Sequence, residues 1–420
     1  MKILICIFEG VSNEALDFYI SQKELPNFEY MFSSFPHGKL ECNKVPYEAA
    51  GITTAFSGID SIENGIVSYW KAKNYNYIPE EWKSENIKEY MFWNKEKYSN
   101  NNITLVNLFG TQPPYAVNGN MLSYSMEKNL RFSYPKELLL NLNKHKIPYV
   151  QDTCAFFTPS TDKDSFCDEV IRIDQLRKNA FINLINGYTD IGIVNFTCID
   201  RVSHFCYDEI DEPLKEKSRL LRAYKNCDEI LKDMIALADN YNSKLLVFSE
   251  IGFGKLKKFI RVNEYLERCG LLSFDKQNNI VDYKKSIAFE SVQGTHGVNI
   301  NLEGEFKNGI VNKSEYAQIL KQIVDALKDM ENPVTGLPMF KRILATCKYV
   351  NYSKKLPDII MEPYSWEYLP YGDPYWANHV SRDCQTGWHR PESFWAFQDG
   401  NLQNGRKELR DIYTMIVDSI

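Results

Sequence analysis

One aspartate and two histidines have the types and spacing of a metal site. Asp200 and His204 stand four residues apart in the segment DRVSH. Four residues make about one helical turn, so both side chains can face one ion if the chain turns into a helix there. His389 lies in a glycine-flanked segment, TGWHRP. A carboxylate and two imidazoles with an open fourth position are typical of catalytic zinc, so we predict a divalent metal site at these three residues.

Three apolar segments of strand length each end in an acidic residue. The segments are 2–9 (KILICIFE), 191–200 (IGIVNFTCID) and 243–250 (SKLLVFSE). Such continuous hydrophobicity is typical of strands that helices cover on both faces. Ligands of open α/β sheets bind beyond the carboxyl ends of the parallel strands. The terminal acids Glu9, Asp200 and Glu250 are therefore expected to converge on a cation.

The order of these segments predicts the fold class. A long segment with leucine and isoleucine at helical spacing, 214–239, separates the second strand from the third. A strand, a helix and a strand in succession imply a right-handed crossover and a parallel sheet. We therefore predict an α/β protein, with residues 1–420 in one domain because no repeat or linker is evident. The irregular stretches 71–103 and 351–385 are expected to be peripheral insertions.

Composition and charge exclude several kinds of partner. The net charge is −6 and no stripe of lysine or arginine is present, so we expect no binding to nucleic acid. No run of about 20 apolar residues exists, so we expect no membrane span. The start, MKILICIFEG, resembles a first strand more than a signal peptide. The ten cysteines are scattered without a CxxC pair, which favours reduced, mostly buried thiols and a cytoplasmic location.

Eight segments in order resemble the type I phosphodiesterase/nucleotide pyrophosphatase family of the alkaline phosphatase superfamily. FTCIDRVSHFCYD resembles the family's D-R-x-x-H motif, and VFSEIGFG with RVNEYLERCGLL resembles its S-D-H-G and N-E-W-L block. VPYEAAGITTAFSGIDSIENGI resembles the helix that carries its nucleophile. The other segments are LPNFEYMFSSF (25–35), GTQPPYAVNGNML (110–122), GVNINLEGE (297–305), NPVTGLP (332–338) and TGWHRP (386–391). The resemblance covers nearly the whole chain and implies an alkaline-phosphatase-like three-layer sandwich with a mostly parallel central sheet and cap-like insertions.

The resemblance also implies a two-metal site. Family members hold two ions, usually zinc, and a threonine or serine between them attacks phosphorus to form a covalent intermediate. One ion takes an Asp, a His and a distant His, which match Asp200, His204 and His389 here. The implied substrate is a phosphorylated or otherwise anionic small molecule.

The other half of the implied site departs from the family. Glu9 stands in place of the first-strand Asp, and Glu250 with Ile251 stands in place of an Asp-His pair. Glu48 occupies the nucleophile position, where a hydroxyl is expected. Ile251 cannot ligate a metal, and Glu48 removes the usual double displacement.

Three interpretations of this altered site remain open. In the first, Glu9, Glu48 and Glu250 form an all-oxygen second site, which favours Mg²⁺ or Mn²⁺, and Glu48 is a ligand or a general base. In the second, one ion binds at the Asp200 site, with Glu48 as fourth ligand or base. In the third, the protein is an inactive relative that binds a ligand or partner. We expect a metal-dependent hydrolase with a non-standard mechanism, and the inactive binding protein is the alternative.

Overall fold

The structure is a computed structural model, and it describes residues 1–78, 80–125, 131–152, 162–212, 214–278, 280–348, 355–370, 372 and 384–420. Its strands are β1 (Ile3–Phe8), β2 (His37–Glu41), β3 (Ile103–Val106), β4 (Gly119–Leu122), β5 (Ser133–Tyr134), β6 (Ile191–Phe196), β7 (Lys244–Phe248), β8 (Gly252–Lys255), β9 (Lys258–Ile260), β10 (Phe274–Asp275), β11 (Ile280–Val281), β12 (Ala288–Glu290), β13 (Gly297–Ile300), β14 (Phe340–Ala345), β15 (Ile359–Pro363), β16 (Tyr368–Pro370), β17 (Gly387–Arg390), β18 (Glu392–Phe397) and β19 (Lys407–Glu408). Its helices are α1 (Asn13–Ser21), α2 (Pro26–Ser34), α3 (Glu48–Ser57), α4 (Ser61–Asn64), α5 (Ser84–Ile87), α6 (Leu138–Lys144), α7 (Lys163–Leu184), α8 (Cys198–Cys206), α9 (Arg219–Asn240), α10 (Val262–Arg268), α11 (Tyr316–Lys328) and α12 (Leu409–Val417).

The described chain divides into two compact units. The first comprises residues 1–59, 83–255 and 384–420, and the second comprises 60–82 and 256–383. Part of the expected insertion 351–385, namely 351–354, 371 and 373–383, lies outside the described residues. One domain with peripheral insertions stays a prediction.

A nine-stranded sheet forms the centre of the first unit, in the order β19-β2-β18-β7-β1-β6-β3-β4-β5. The run from β7 to β4 is parallel throughout. Strands β18 and β5 are antiparallel to their neighbours β7 and β4. The predicted mostly parallel α/β sheet is confirmed, and the three apolar runs of the sequence form its adjacent strands β7, β1 and β6.

Helices cover both faces of this sheet, and every residue of β1 and β6 is therefore buried. On one face, Leu4, Cys6 and Phe8 pack into a core with residues of α7, α8 and α9. On the other face, Phe56 of α3 packs edge-on against Phe248 of β7, and α3 lies against α12. These three layers explain why the strands read as continuous hydrophobic runs.

The strand register aligns the carboxyl ends that the sequence singled out. Ile7 pairs with Phe248, so Glu9 and Glu250 each follow that pair by two residues. Phe8 pairs with Phe196, and α8 begins two residues beyond Phe196. The predicted helix 214–239 is observed as α9, which starts at Arg219 and is preceded by a short 3₁₀ turn.

The second unit has its own apolar core and a four-stranded sheet in the order β12-β13-β15-β14, antiparallel throughout. Helices α10 and α11 contribute buried side chains to this core. Within it, Lys73 is nearly buried and lies 2.8 Å from an oxygen of Asp358.

Two smaller expectations also concern the described residues. Their nine cysteines are free thiols, and six of these are buried. No helix in the described ranges combines the length and the apolar character that crossing a membrane requires.

Asp228 of α9 caps the N-terminus of α2. Its Oδ1 accepts hydrogen bonds from the backbone N–H groups of Asn27 and Phe28, each at 2.9 Å. Leu25, at the N-cap position, has an apolar side chain that cannot accept a hydrogen bond from these N–H groups. The cap therefore comes from another helix and joins α2 to α9.

Replacement of this cap should destabilise the protein. We expect Asp228→Ala to lower the free energy of unfolding by roughly 1–2 kcal/mol, because two backbone donors lose their acceptor. The exposed neighbour Glu229 supplies the control, and Glu229→Ala should change the value by less than about 0.5 kcal/mol. Urea unfolding followed by circular dichroism measures both, and equal effects of the two substitutions would contradict the capping role.

Candidate metal centre

Asp200, His204 and His389 meet in the first unit. Asp200 and His204 lie one turn apart on α8, and His389 lies on β17. Asp200 Oδ1 is 3.2 Å from His389 Nε2, and Asp200 Oδ2 is 3.5 Å from His204 Nε2. One ligand atom from each residue lies within 4.8 Å of the others, and no other trio of His, Cys, Asp or Glu among the described residues does so. The three residues thus offer one oxygen and two nitrogens to one cation.

Helix α8 owes its position to a cap from α7. Asp174 accepts hydrogen bonds from the backbone N–H groups of Thr197 and Cys198, at 3.3 and 2.8 Å, where α8 begins. Asp174 is fully buried and forms an ion pair with Arg177. This anchor fixes the first turn of α8, which carries Asp200.

The ring of His389 is held from two sides. Strand β17 pairs with β8 so that His389 stands opposite Phe253. His389 Nδ1 is 3.2 Å from the carbonyl oxygen of Pro46. When Nδ1 donates to that carbonyl, the lone pair of Nε2 faces Asp200, which is the arrangement of a metal-binding histidine.

The two imidazoles differ in electrostatic surroundings. Burial lowers the pKa of His204 despite the opposing charge of Asp200, and this favours the neutral ring that binds a metal. The pKa of His389 is raised although burial opposes this, because Asp200 accepts its hydrogen bond and the charge of Glu48 adds to the effect. His389 therefore favours a cation at Nε2, which can be a proton or a metal ion.

Aromatic rings surround the histidines. The ring centroid of His204 lies 5.0 Å from that of Phe253 and 4.7 Å from that of Trp388. Tyr47 packs edge-on against His389 with centroids 5.2 Å apart. The side chain of His204 is 12 % exposed, whereas those of Asp200 and His389 are almost completely buried. His204 is thus the most exposed of the three side chains, and the surrounding apolar rings lower the local dielectric constant.

Glu48 is the first residue of α3. It is 4 % exposed, and its Oε2 has no hydrogen-bond partner among the described residues. Two hydroxyls of the same helix are engaged elsewhere. Thr53 Oγ1 donates to the carbonyl of Ala49, and Thr54 Oγ1 accepts from Asn43 Nδ2. Glu48 is the α3 side chain whose charge acts on His389 of the trio.

Glu9 and Glu250 both follow the carboxyl ends of neighbouring strands, β1 and β7, but their surroundings differ. Glu9 Oε1 accepts from Arg201 at 3.0 Å, and Oε2 accepts from Asn195 at 2.7 Å. Burial raises the pKa of Glu9 although Arg201 opposes the shift, and burial also raises the pKa of Glu250. The ligand atoms of Glu9, Glu48 and Glu250 do not come together as those of the Asp200 trio do. A second metal site at the three glutamates stays a prediction.

Arg201 and Asp152 belong to this centre and were not singled out from the sequence. Arg201 is 2 % exposed and contacts carboxylate oxygens of Glu9, Asp152 and Asp200. Its position beside Asp200 in the D-R-x-x-H segment was a signal that could have identified it. Asp152 stands in no motif, and only the fold brings it to Arg201.

Comparisons with known proteins agree with this geometry at the level of the fold. No protein-family model matches the sequence, and no curated protein matches it. Phosphonoacetate hydrolase from Sinorhizobium meliloti 1021, in complex with phosphonoformate, has a TM-score of 0.61 at 12 % identity, covering 99 % of this chain and 95 % of that one.

Two further solved structures match over the full chain at 12 % identity. An inactive variant of murine ectonucleotide pyrophosphatase/phosphodiesterase 5 in complex with AMP has a TM-score of 0.56 and is covered over 94 %. The alkaline phosphatase PafA has a TM-score of 0.59 and is covered over 95 %. The alkaline-phosphatase-like fold implied by the sequence motifs is thereby confirmed.

Glu250 packs tightly against α3 at Gly51. A Cβ atom at position 51 would lie 2.7 Å from Glu250 Cγ and 2.9 Å from its backbone oxygen. Because backbone cannot move aside as a flexible side chain can, only glycine fits. Gly51 thus allows Glu250 to lie directly against the helix of Glu48.

We therefore expect Gly51→Ala to destabilise the protein by about 1–3 kcal/mol, although alanine favours a helix by up to about 1 kcal/mol. Gly187→Ala is the matched control, because nothing lies within 4 Å of a Cβ built there. Thermal unfolding compares the two variants. A Gly51→Ala protein as stable as wild type would contradict the close contact between Gly51 and Glu250.

Proposed function

We propose that this protein is a metal-dependent hydrolase that binds one divalent ion, zinc, at Asp200, His204 and His389 and acts on a phosphorylated or otherwise anionic small molecule. The observation that carries the proposal is the convergence of three ligand atoms within 4.8 Å of one another, on two buried residues and one partly buried residue. Two nitrogens and one carboxylate oxygen suit zinc, and three protein ligands leave a position for substrate or water. Such an ion, when bound, supplies Lewis-acid polarisation of a substrate oxygen.

The charge of the centre supports an anionic substrate only when the metal is present. Glu9, Glu48, Asp200 and Glu250 are all buried here, and Arg201 already contacts three carboxylates. An anion approaching this centre without a metal would meet net negative charge at low dielectric. Two fold neighbours were solved with AMP and with phosphonoformate, which are anions of this class.

Glu48 is the proposed catalytic base. It replaces the hydroxyl nucleophile, so the reaction we propose is direct attack of water on phosphorus. Glu48 accepts one proton of that water as the water oxygen bonds to phosphorus. The leaving oxygen takes a proton from solvent as its bond to phosphorus breaks, and Glu48 then returns its proton to solvent. The unpartnered, buried Oε2 of Glu48 and its position at the start of α3 support this role.

The competing function is ligand binding without turnover. The lack of a hydroxyl at position 48 favours it, because the two hydroxyls nearest along α3 are already hydrogen bonded. The two functions share the metal trio and differ in the role of Glu48.

Removal of a metal ion bound at Asp200, His204 and His389 should lower the thermal stability of the protein. For chelated protein, we expect zinc at 100 times its dissociation constant to add about 2.7 kcal/mol to the free energy of unfolding. His389→Ala should lose most of this gain, whereas His145→Ala, at an exposed histidine of the same unit, should keep it. Differential scanning fluorimetry with and without zinc measures the shift. A full zinc response in His389→Ala would contradict the site.

Glu48→Gln should abolish most turnover while the metal remains bound. A panel of chromogenic phosphate monoesters and diesters, with phosphonoacetate, identifies an activity in the zinc-loaded wild type. We expect Glu48→Gln to reduce kcat roughly 10²–10⁴-fold, because the amide cannot accept the proton. The exposed Glu89→Gln is the control and should retain wild-type kcat. Unchanged turnover in Glu48→Gln would refute the base, and no turnover in zinc-loaded wild type would favour the binding function.

A further inference from the structure

The guanidinium of Arg201 occupies the middle of a buried group of acids. Nη1 lies 3.0 Å from Glu9 Oε1, and Nη2 lies 3.1 Å from Asp152 Oδ2. Nη1 also pairs with Asp200 Oδ2. We call Glu9, Asp152 and Asp200 the Arg201 cluster. None of its three acids is more than 1 % exposed, so water cannot screen their charges.

Both carboxylate oxygens of Glu9 accept a hydrogen bond. One accepts from Arg201 and the other accepts from Asn195 Nδ2 at 2.7 Å. A metal ion on Glu9 would use a remaining lone pair and would lie close to the guanidinium of Arg201. Because a guanidinium cannot lose its proton, the ion would add a double positive charge beside a buried positive charge.

The remaining neighbours do not supply the ligands of a second ion. Ile251, which follows Glu250, is fully buried and offers no donor atom. Glu48 and Glu250 have buried oxygens without hydrogen-bond partners among the described residues, yet their oxygens do not gather with those of Glu9. The residues therefore do not fit the second metal that the family resemblance implies.

We infer that Arg201 is the resident cation of this half of the centre and that it takes the place of a second metal ion. This inference rests on the proposed function, because it assumes one ion at the Asp200 trio. Arg201 is then a positioning residue. It binds Asp200 Oδ2 and leaves Oδ1, which faces His389, for the single ion.

Counting bound metal tests the inference without any substrate. Wild type, saturated with Mn²⁺ or Zn²⁺ and freed of excess ion, should carry about one ion per chain by plasma mass spectrometry. Arg201→Met removes the charge and keeps the length, so the freed acids should take up a second Mn²⁺, giving about two ions per chain. Arg172→Met, at an exposed arginine of the same unit, is the control and should stay at one.

Glu9→Gln decides the matter if Arg201→Met fails to fold, as judged by circular dichroism. If Glu9 is only an ion-pair partner of Arg201, the Glu9→Gln protein keeps its bound ion. If Glu9 is a metal ligand, the Glu9→Gln protein loses a bound ion. One ion in wild type and one ion in folded Glu9→Gln together support the role of Arg201.

Two ions in wild type, one ion in folded Arg201→Met, or an ion lost in Glu9→Gln would each overturn the inference. Two ions in wild type would leave the proposed function intact, because the Asp200 trio could still hold one of them. No ion in wild type would overturn the inference together with the proposed function.

Discussion

The centre of this protein depends on the compensation of buried negative charge. Five carboxylates, of Glu9, Glu48, Asp152, Asp200 and Glu250, are at most 4 % exposed in one unit. Buried charges are tolerated when opposite charge and hydrogen bonds replace the lost water. Arg201 supplies one positive charge within the centre, and the raised pKa of Glu9 and of Glu250 shows that burial also favours protons there. A divalent ion at the Asp200 trio would contribute the largest remaining compensation.

The same constraint explains why the supporting structure is so closely packed. Helix α8 must hold Asp200, Arg201 and His204 at fixed distances, and Asp174 fixes its first turn. The parallel register of β7 and β1 then brings Glu250 level with Glu9. Because an interior of this kind is nearly dry, a displacement of one side chain would leave a charge without its partner.

The elements that the sequence predicted are those governed by local pattern. Continuous apolar runs identified β1, β6 and β7, and helical spacing identified α9. The i and i+4 spacing of Asp200 and His204 was sufficient for their convergence, because a single helix carries both. His389 was identified from its motif, TGWHRP. Its contact with Asp200 could not be predicted locally, because it depends on the pairing of β17 with β8.

What the sequence did not reveal depends on contacts between distant segments. Asp152 has no local signal, and its approach to Arg201 follows from the whole arrangement of the sheet. The two hydrogen-bond donors on Glu9, from Arg201 and Asn195, could likewise be identified only from the structure. A shared fold therefore does not carry over the chemistry of each position.

The place of His389 in the chain has a consequence for the order of biogenesis. It lies 189 residues after Asp200, on a strand that closes against β8. A ribosome that has made the chain only as far as β8 has already added Asp200, His204 and every acid of the Arg201 cluster, but not His389. During synthesis, Arg201 is therefore available to pair with these acids before His389 is added, and an ion held by all three residues of the trio could bind only after β17 has been made.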